Sequence, residues 1–360
     1  MNRPLHFVLT PSETADIKEL SIVTTGGVTL KKKRESETES ATPYRIDVHL
    51  HIMPSEYVKT LAAAGVTSAL GVRFPEWSLE KTLEVTDRSG IRAAVTSFTS
   101  PAALVGDPRF SRKLARKCNE IAAKLVHDQP ERFGAFAVLP ALNDAQGALA
   151  EIEYALDTLK LDGIGLLTNY KGTYLGDSAF EAVYKDLNRR KAVIHVHPGD
   201  PPLRNPFPCS ASLLEAPFET TRAITNLIYG GTLKRYPDMR FIFSHGGGTI
   251  PYLATRIAEG AWRWQGAAEN APRGFYYYLK RLYYDTAGAA NPYNLPSLRA
   301  LADTRHILFG TDYPFATTPM IAAKIDGIAR FDGFDADERR AVEEKSALAL
   351  FPRLRTKRSR

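Results

Sequence analysis

The chain has 360 residues, 44% hydrophobic and 24% charged, with 25 Gly and 23 Pro spread without a period, which suits one large or two smaller globular domains and excludes a collagen or a wholly disordered chain. No run approaches the roughly 18 consecutive apolar residues of a membrane helix, and Cys118 and Cys209 lie far apart outside any CxxC pattern, which argues against a disulfide framework or cysteine zinc site and fits a reducing cytoplasm. The net charge of +7 gathers at the C-terminal end, where the residues after Pro352 hold five bases and no acid and leave +2 for the rest, so nucleic-acid binding loses its main support.

Residues 1–43 contain a β-like stretch (Ser21 to Thr24), a Gly26-Gly27 turn and a polar run from Lys31 to Thr42. They are expected to form a partly disordered appendage, and residues 353–360 a solvated basic tail. Beyond His6-Phe7-Val8-Leu9 the start of the chain has no apolar core of a signal peptide, so a cleaved secretory signal is not expected.

From residue 44 to 352, short apolar runs alternate with segments of helical spacing, the pattern of a parallel sheet with crossover helices. Candidate strands end at His49, Phe98, Leu139, Leu167, His197, His245, Thr286 and Asp312. Between them, Ser111 to His127, Ala145 to Leu159, Phe180 to Arg190 and Pro217 to Tyr236 carry amphipathic helical spacing. Eight such units predict an α/β fold, a TIM (β/α)8 barrel over residues 44–352. A doubly wound open sheet would place a G-x-G-x-x-G after its first strand, and none follows His49.

Eight histidines in this length give about 0.2 H-x-H pairs by chance, yet the chain has two, His49-x-His51 and His195-x-His197. Residues i and i+2 of a strand point to one side, so His49 and His51 can face one ion. Imidazole ligands suit zinc, iron, manganese or cobalt better than magnesium or calcium. His197, His245 and Asp312 each sit near the C-terminal end of another predicted strand, where barrel enzymes build their active sites. Asp312 is expected as a carboxylate ligand or proton carrier. His195 and Asp285 read as satisfied interior groups, and Asp47 as a residue that orients a ligand. Gly246-Gly247-Gly248 lacks the lysine and hydroxyl of a phosphate loop and reads as a tight turn that allows close approach to a ligand.

The set His49-x-His51, His197-Pro198, Ser244-His245-Gly246-Gly247-Gly248 and Gly310-Thr311-Asp312-Tyr313-Pro314 resembles the amidohydrolase superfamily. More narrowly it resembles the branch of non-oxidative decarboxylases that includes aminocarboxymuconate semialdehyde decarboxylase and 6-methylsalicylate decarboxylase. The resemblance spans about residues 44 to 350. It implies His49, His51, His197 and Asp312 as ligands of a divalent metal, zinc with manganese as the alternative, and His245 beside Asp312 as catalytic acid/base. Relatives with Glu in place of the first His act on resorcylate-type acids, whereas His49 sides with the muconate and methylsalicylate group. Arg73 and Trp77, in Arg73-Phe74-Pro75-Glu76-Trp77-Ser78, resemble the substrate-binding segment of the methylsalicylate branch, with Arg73 as carboxylate partner. Arg256 falls where a family member sends an arginine into its neighbour's site, which implies a homodimer or homotetramer. A helix starting near Pro251 would place Arg256 roughly 8 Å along its axis from Pro251, away from its own metal site.

The expected activity is therefore carboxy-lyase action on a small aromatic or unsaturated acid, an ortho-hydroxybenzoate being favoured, with neither nucleic acid nor membrane as partner. Metal-dependent hydrolysis of a lactone or amide uses the same ligands and stays open. A structural metal site would have four closed ligands and no acid/base partner, which His245 argues against.

Overall fold

Each of the eight apolar runs is too short for a stable helix and is buried on both faces, as strands of a parallel sheet covered by helices must be. The computed structural model describes residues 43–202, 207–264 and 266–355. The barrel strands are β1 Arg45–His51, β2 Ile91–Ser97, β3 Phe133–Val138, β4 Gly163–Leu167, β5 Val193–His197, β6 Arg240–Phe243, β7 Tyr283–Asp285 and β8 Ile307–Leu308. They pair in that order and in parallel. Closure from β8 back to β1 is carried by backbone bonds just past β8: Val48 N–H donates to the Phe309 carbonyl (2.9 Å), Asp312 N–H to that of His49 (2.8 Å) and His51 N–H to that of Tyr313 (2.7 Å). The result is a TIM (β/α)8 barrel.

The outer helices include α1 Pro108–Asp128, α2 Ala145–Glu153, α3 Glu181–Arg189, α4 Ala211–Tyr229, α5 Ile250–Ala258 and α6 Thr318–Arg330. The Asp107 side chain caps α1 by accepting from Phe110 N–H, with Pro108 in the first turn. The helix expected from Pro217 to Tyr236 differs. It starts at Ala211, capped by the Ser210 hydroxyl, keeps Pro217 inside, and ends at Tyr229 before Gly231 (φ 74°) and a short turn, Thr232–Arg235. That φ needs glycine, so the chain breaks there rather than continuing.

Ile46, Val48, Ala93, Val95, Phe136, Val193, Ile242 and Leu308 fill the lower barrel, and Ala347, Leu350, Phe351 and Leu354 join them from below. Packing against the barrel runs past residue 352. Leu354 is buried, and Arg353 pairs with Asp162 at 2.9 Å while donating to the Pro130 and Phe133 carbonyls. The appendage expected over residues 1–43 lies outside the described residues except at its end, as do the last five residues of the basic tail. Among the described residues no helix is long and apolar enough to cross a membrane.

Candidate metal centre and active site

Alternation along β1 puts His49 and His51 on the inner side of the barrel, both fully buried. Each histidine's far nitrogen is held. Asp285 Oδ2 lies 2.8 Å from His49 Nδ1, Ser97 Oγ 3.0 Å from His51 Nδ1, and the Pro198 carbonyl 3.0 Å from His197 Nδ1. A carbonyl or carboxylate oxygen accepts, so His49 and His197 each carry a proton on Nδ1 and turn Nε2 inward, His197 as a lone pair and His49 as a lone pair once its second proton is displaced. The Nε2 atoms of His49 and His51 stand 3.1 Å apart, and Asp312 Oδ1 lies 3.4 and 3.2 Å from them. Ligand atoms of His49, His51, His197 and Asp312 all fall within 4.8 Å of one another. Two ligands about 2.1 Å from one ion stand about 3.0 to 3.4 Å apart, so the donors are spaced to share a divalent transition ion.

His245 and Asp312 are the members of this cluster with appreciable access to the cavity, their side chains 20% and 24% exposed, and His245 Nε2 lies 3.6 Å from Asp312 Oδ2. Neither ends a strand: β6 stops at Phe243 and β8 at Leu308. Both adopt left-handed backbone, φ 55° at His245 and 65° at Asp312, a conformation costly for residues other than glycine and held only by strong local bonding. For His245 the bond is its N–H to Asp285 Oδ1 (2.9 Å). For the Asp312 turn it is Asp47, which accepts from Thr311 N–H and the Thr311 hydroxyl as well as from His49 N–H. Asp47 thus ties the backbone at His49 to the Thr311–Asp312 turn. Asp285 does more than was expected of an interior group, since it fixes both His49 and the His245 backbone. His195 is buried, stacked on Phe136 at 5.1 Å, with Nε2 3.4 Å from Asp285.

Burial opposes charge throughout the cluster, and the neighbours decide which groups keep it. Desolvation works against the His49 imidazolium, yet the carboxylates of Asp285 and Asp312 outweigh it and push His49 up to about 10. Burial pulls His51 below its usual range, His197 well below it, and His195 down to about 4, so these rings stay neutral. For Asp312 burial favours the acid form, but hydrogen bonds from His245, His49 and His51 hold it well below the carboxylate range.

The cluster forms one end of a cavity of about 560 Å³ whose lining includes Leu70, Val72, Leu213, Pro217, Phe315 and Met320 beside His197, His245, Asp312 and Lys324. Leu70 and Val72 come from a hairpin, Ser68–Ala69 with Val72–Arg73. It is pinned by Asp200 accepting from Leu70 N–H and by the Ser210 hydroxyl donating to the Leu70 carbonyl. The three residues expected at the substrate do not line this cavity. Arg73 is exposed, Trp77 packs its ring against the hydrophobic core, and Arg256 is exposed on α5. Lys324, which the sequence reading missed, does line it; its ammonium donates to the Thr311 carbonyl at 2.5 Å, and burial pulls the amine below its ordinary range. The three glycines after His245 all have positive φ. Gly248 lines the cavity, but what crowds it is protein, since an added Cβ would sit 2.1 Å from the Pro217 carbonyl oxygen.

Comparison with known proteins adds to this geometry. The family model described as Amidohydrolase matches residues 46–353. Decarboxylase yanB of Aspergillus niger is 37% identical, covering 86% of this chain and 88% of its own. A 6-methylsalicylic acid decarboxylase of Penicillium expansum is 36% identical, covering 86% of this chain and 97% of its own. Among solved structures, a dihydroxybenzoic acid decarboxylase from Polaromonas sp., with bound manganese and the inhibitor 2-nitroresorcinol, superposes with a TM-score of 0.72 at 22% identity, covering 87% of this chain and 98% of that one.

Proposed function

The chain belongs to the amidohydrolase family, in its decarboxylase branch, and from that premise we propose that it is a metal-dependent, non-oxidative decarboxylase of an ortho-hydroxybenzoate of the 6-methylsalicylate kind. The observation that carries the reading is the pairing of a three-histidine, one-aspartate donor set with His245 and Asp312, both open to a cavity walled largely by apolar groups. The same donors would serve hydrolysis of a lactone or amide. Relatives 35 to 37% identical over 86% of this chain that are named decarboxylases favour loss of CO2.

His49, His51, His197 and Asp312 would hold the ion, which when bound supplies Lewis acidity that orients the oxygens of the acid. Three neutral imidazoles with one carboxylate suit zinc, and manganese in the Polaromonas enzyme makes it the competing ion. His245 and Asp312 share the proton that the reaction must place on the ring carbon bearing the carboxylate. That carbon gains a C–H bond and its ring loses aromaticity. The bond to the carboxylate then breaks, CO2 departs, and the electron pair returns to the ring. The apolar wall keeps water from competing for the site. As part of the same proposal the enzyme is cytoplasmic and works as a homodimer or homotetramer, with Arg256 meeting a neighbouring copy and Arg73 and Trp77 in the substrate-side segment.

Metal analysis of the purified protein, followed by a CO2-release screen over hydroxybenzoates and muconate semialdehydes, tests this. The expected result is about one transition ion per chain and CO2 release from a hydroxybenzoate that stops on chelation. Release of an alcohol or amine from esters or amides with no CO2 from any acid would favour the hydrolase.

A further inference from the structure

On α6 the buried face reads Ile321, Lys324, Ile328, residues three and four apart that lie on one side of a helix. A lysine in that stripe is out of place unless its charge has a use, because burying an ammonium costs free energy when it is not paired. Lys324 is the one lysine or arginine among the described residues that line the cavity, whose lining also includes Asp312. An ammonium has three donors. Among the described residues the hydrogen bond that Lys324 makes is to the Thr311 carbonyl, which leaves donors for something in the cavity. Arg73, to which the family resemblance gave the carboxylate, does not line that cavity.

We propose that Lys324 is the carboxylate-recognising cation of this cavity, gripping the Thr311 carbonyl with one N–H and offering the others to the acid group of the bound aromatic molecule. The class of ligand rests on the decarboxylase reading above, whereas the position of the amine does not. A cation so placed makes the cavity prefer a small aromatic acid over a neutral molecule of the same shape, because hydrogen bonds to a charged partner in a partly desolvated site are the strong ones.

Binding without turnover tests this. Benzoate, which lacks the ring-activating hydroxyl, and benzamide, its neutral counterpart, are titrated by calorimetry into the metal-loaded wild type and into Lys324→Met, Lys324→Gln and Lys324→Arg, with bound metal measured for each. Lys324→Gln keeps an N–H for the Thr311 carbonyl while losing the charge. The expected result is benzoate affinity lower by about tenfold to hundredfold in the Met and Gln variants, benzamide affinity unchanged, metal retained, and benzoate binding largely restored in the Arg variant. Equal changes for benzoate and benzamide, no change for either, or loss of metal in step with loss of both ligands would overturn the proposal and leave Lys324 as a brace of the Thr311–Asp312 turn. If the decarboxylase reading itself is wrong, wild type releases no CO2 from any acid, while the benzoate preference over benzamide still reports on Lys324.

Discussion

His197 and His245 face the same cavity, but their ring nitrogens are used differently. His197 Nδ1 is committed to the Pro198 carbonyl and Nε2 points into the donor cluster, whereas His245 Nδ1 is buried with no hydrogen-bond partner among the described residues and Nε2 faces Asp312. His197→Ala is therefore expected to lose most bound metal and activity in a folded barrel, and His245→Ala to keep the metal and lose about 10² to 10⁴ in kcat. Metal content by plasma emission, beside circular dichroism and turnover, separates the two, and equal metal loss would move His245 into the ligand set. The raised pKa of His49 has its own consequence. Below about 10 the metal-free ring holds a proton that an incoming ion must displace. Apparent metal affinity should then rise about tenfold per pH unit between pH 6 and 9, with about one proton released per ion at neutral pH. Calorimetry in buffers of different ionisation enthalpy reads this number, and zero release would contradict it. The proposed ligands were legible as candidates because H-x-H is rare by chance and strand ends are where barrels place chemistry. Lys324 was not, because a lysine twelve residues past Asp312 reads as surface until packing fixes which face of α6 is buried. Arg73 and Trp77 were placed by family likeness alone, and the hairpin that carries Arg73 turns Leu70 and Val72 to the cavity instead.

The strands were legible as elements because β-rich runs buried on both sides leave continuous apolar stretches. Their ends were less so: β6 and β8 stop two and four residues before His245 and Asp312. Those last residues are fixed by Asp285 and Asp47, contacts between distant parts of the chain that no local spacing records. The glycine turn after His245 belongs to the same problem. Gly248 has φ 67°, and a Cβ there would run into the Pro217 carbonyl inside α4. Gly248→Ala is expected to cost about 2 to 4 kcal/mol from left-handed strain and backbone collision. A thermal melt lowered by several degrees checks it, and an unchanged melt would mean that α4 and α5 can separate at no cost.

At the scale of the molecule, the fold was legible from the count of eight β/α units, while the packing of Leu354 under the barrel was hidden because a run of bases reads as solvated tail. The proposed assembly is likewise a property of the whole. On α5 and the turn after it, Tyr252 and Trp262 are each 85% exposed, with Arg256 between them in sequence and also exposed. These exposed rings are surface that the proposed association would cover. If Arg256 serves a neighbouring copy, then Arg256→Ala and His197→Ala, each inactive, regain activity when denatured and refolded together, because one site in each hybrid dimer has both residues intact. No recovery, with hybrids shown to form by tagged pull-down, would place Arg256 outside the neighbour's site.

The central claim is that this site replaces a carboxylate with a proton on an aromatic carbon. It is met most directly by incubating the metal-loaded protein with 6-methylsalicylate in D2O and following CO2 and the ring protons by NMR. The expected products are one CO2 per molecule consumed and 3-methylphenol carrying a single deuterium at the carbon between hydroxyl and methyl groups. An intact acid, with related hydroxybenzoates equally untouched by a protein shown to hold its metal, would contradict it.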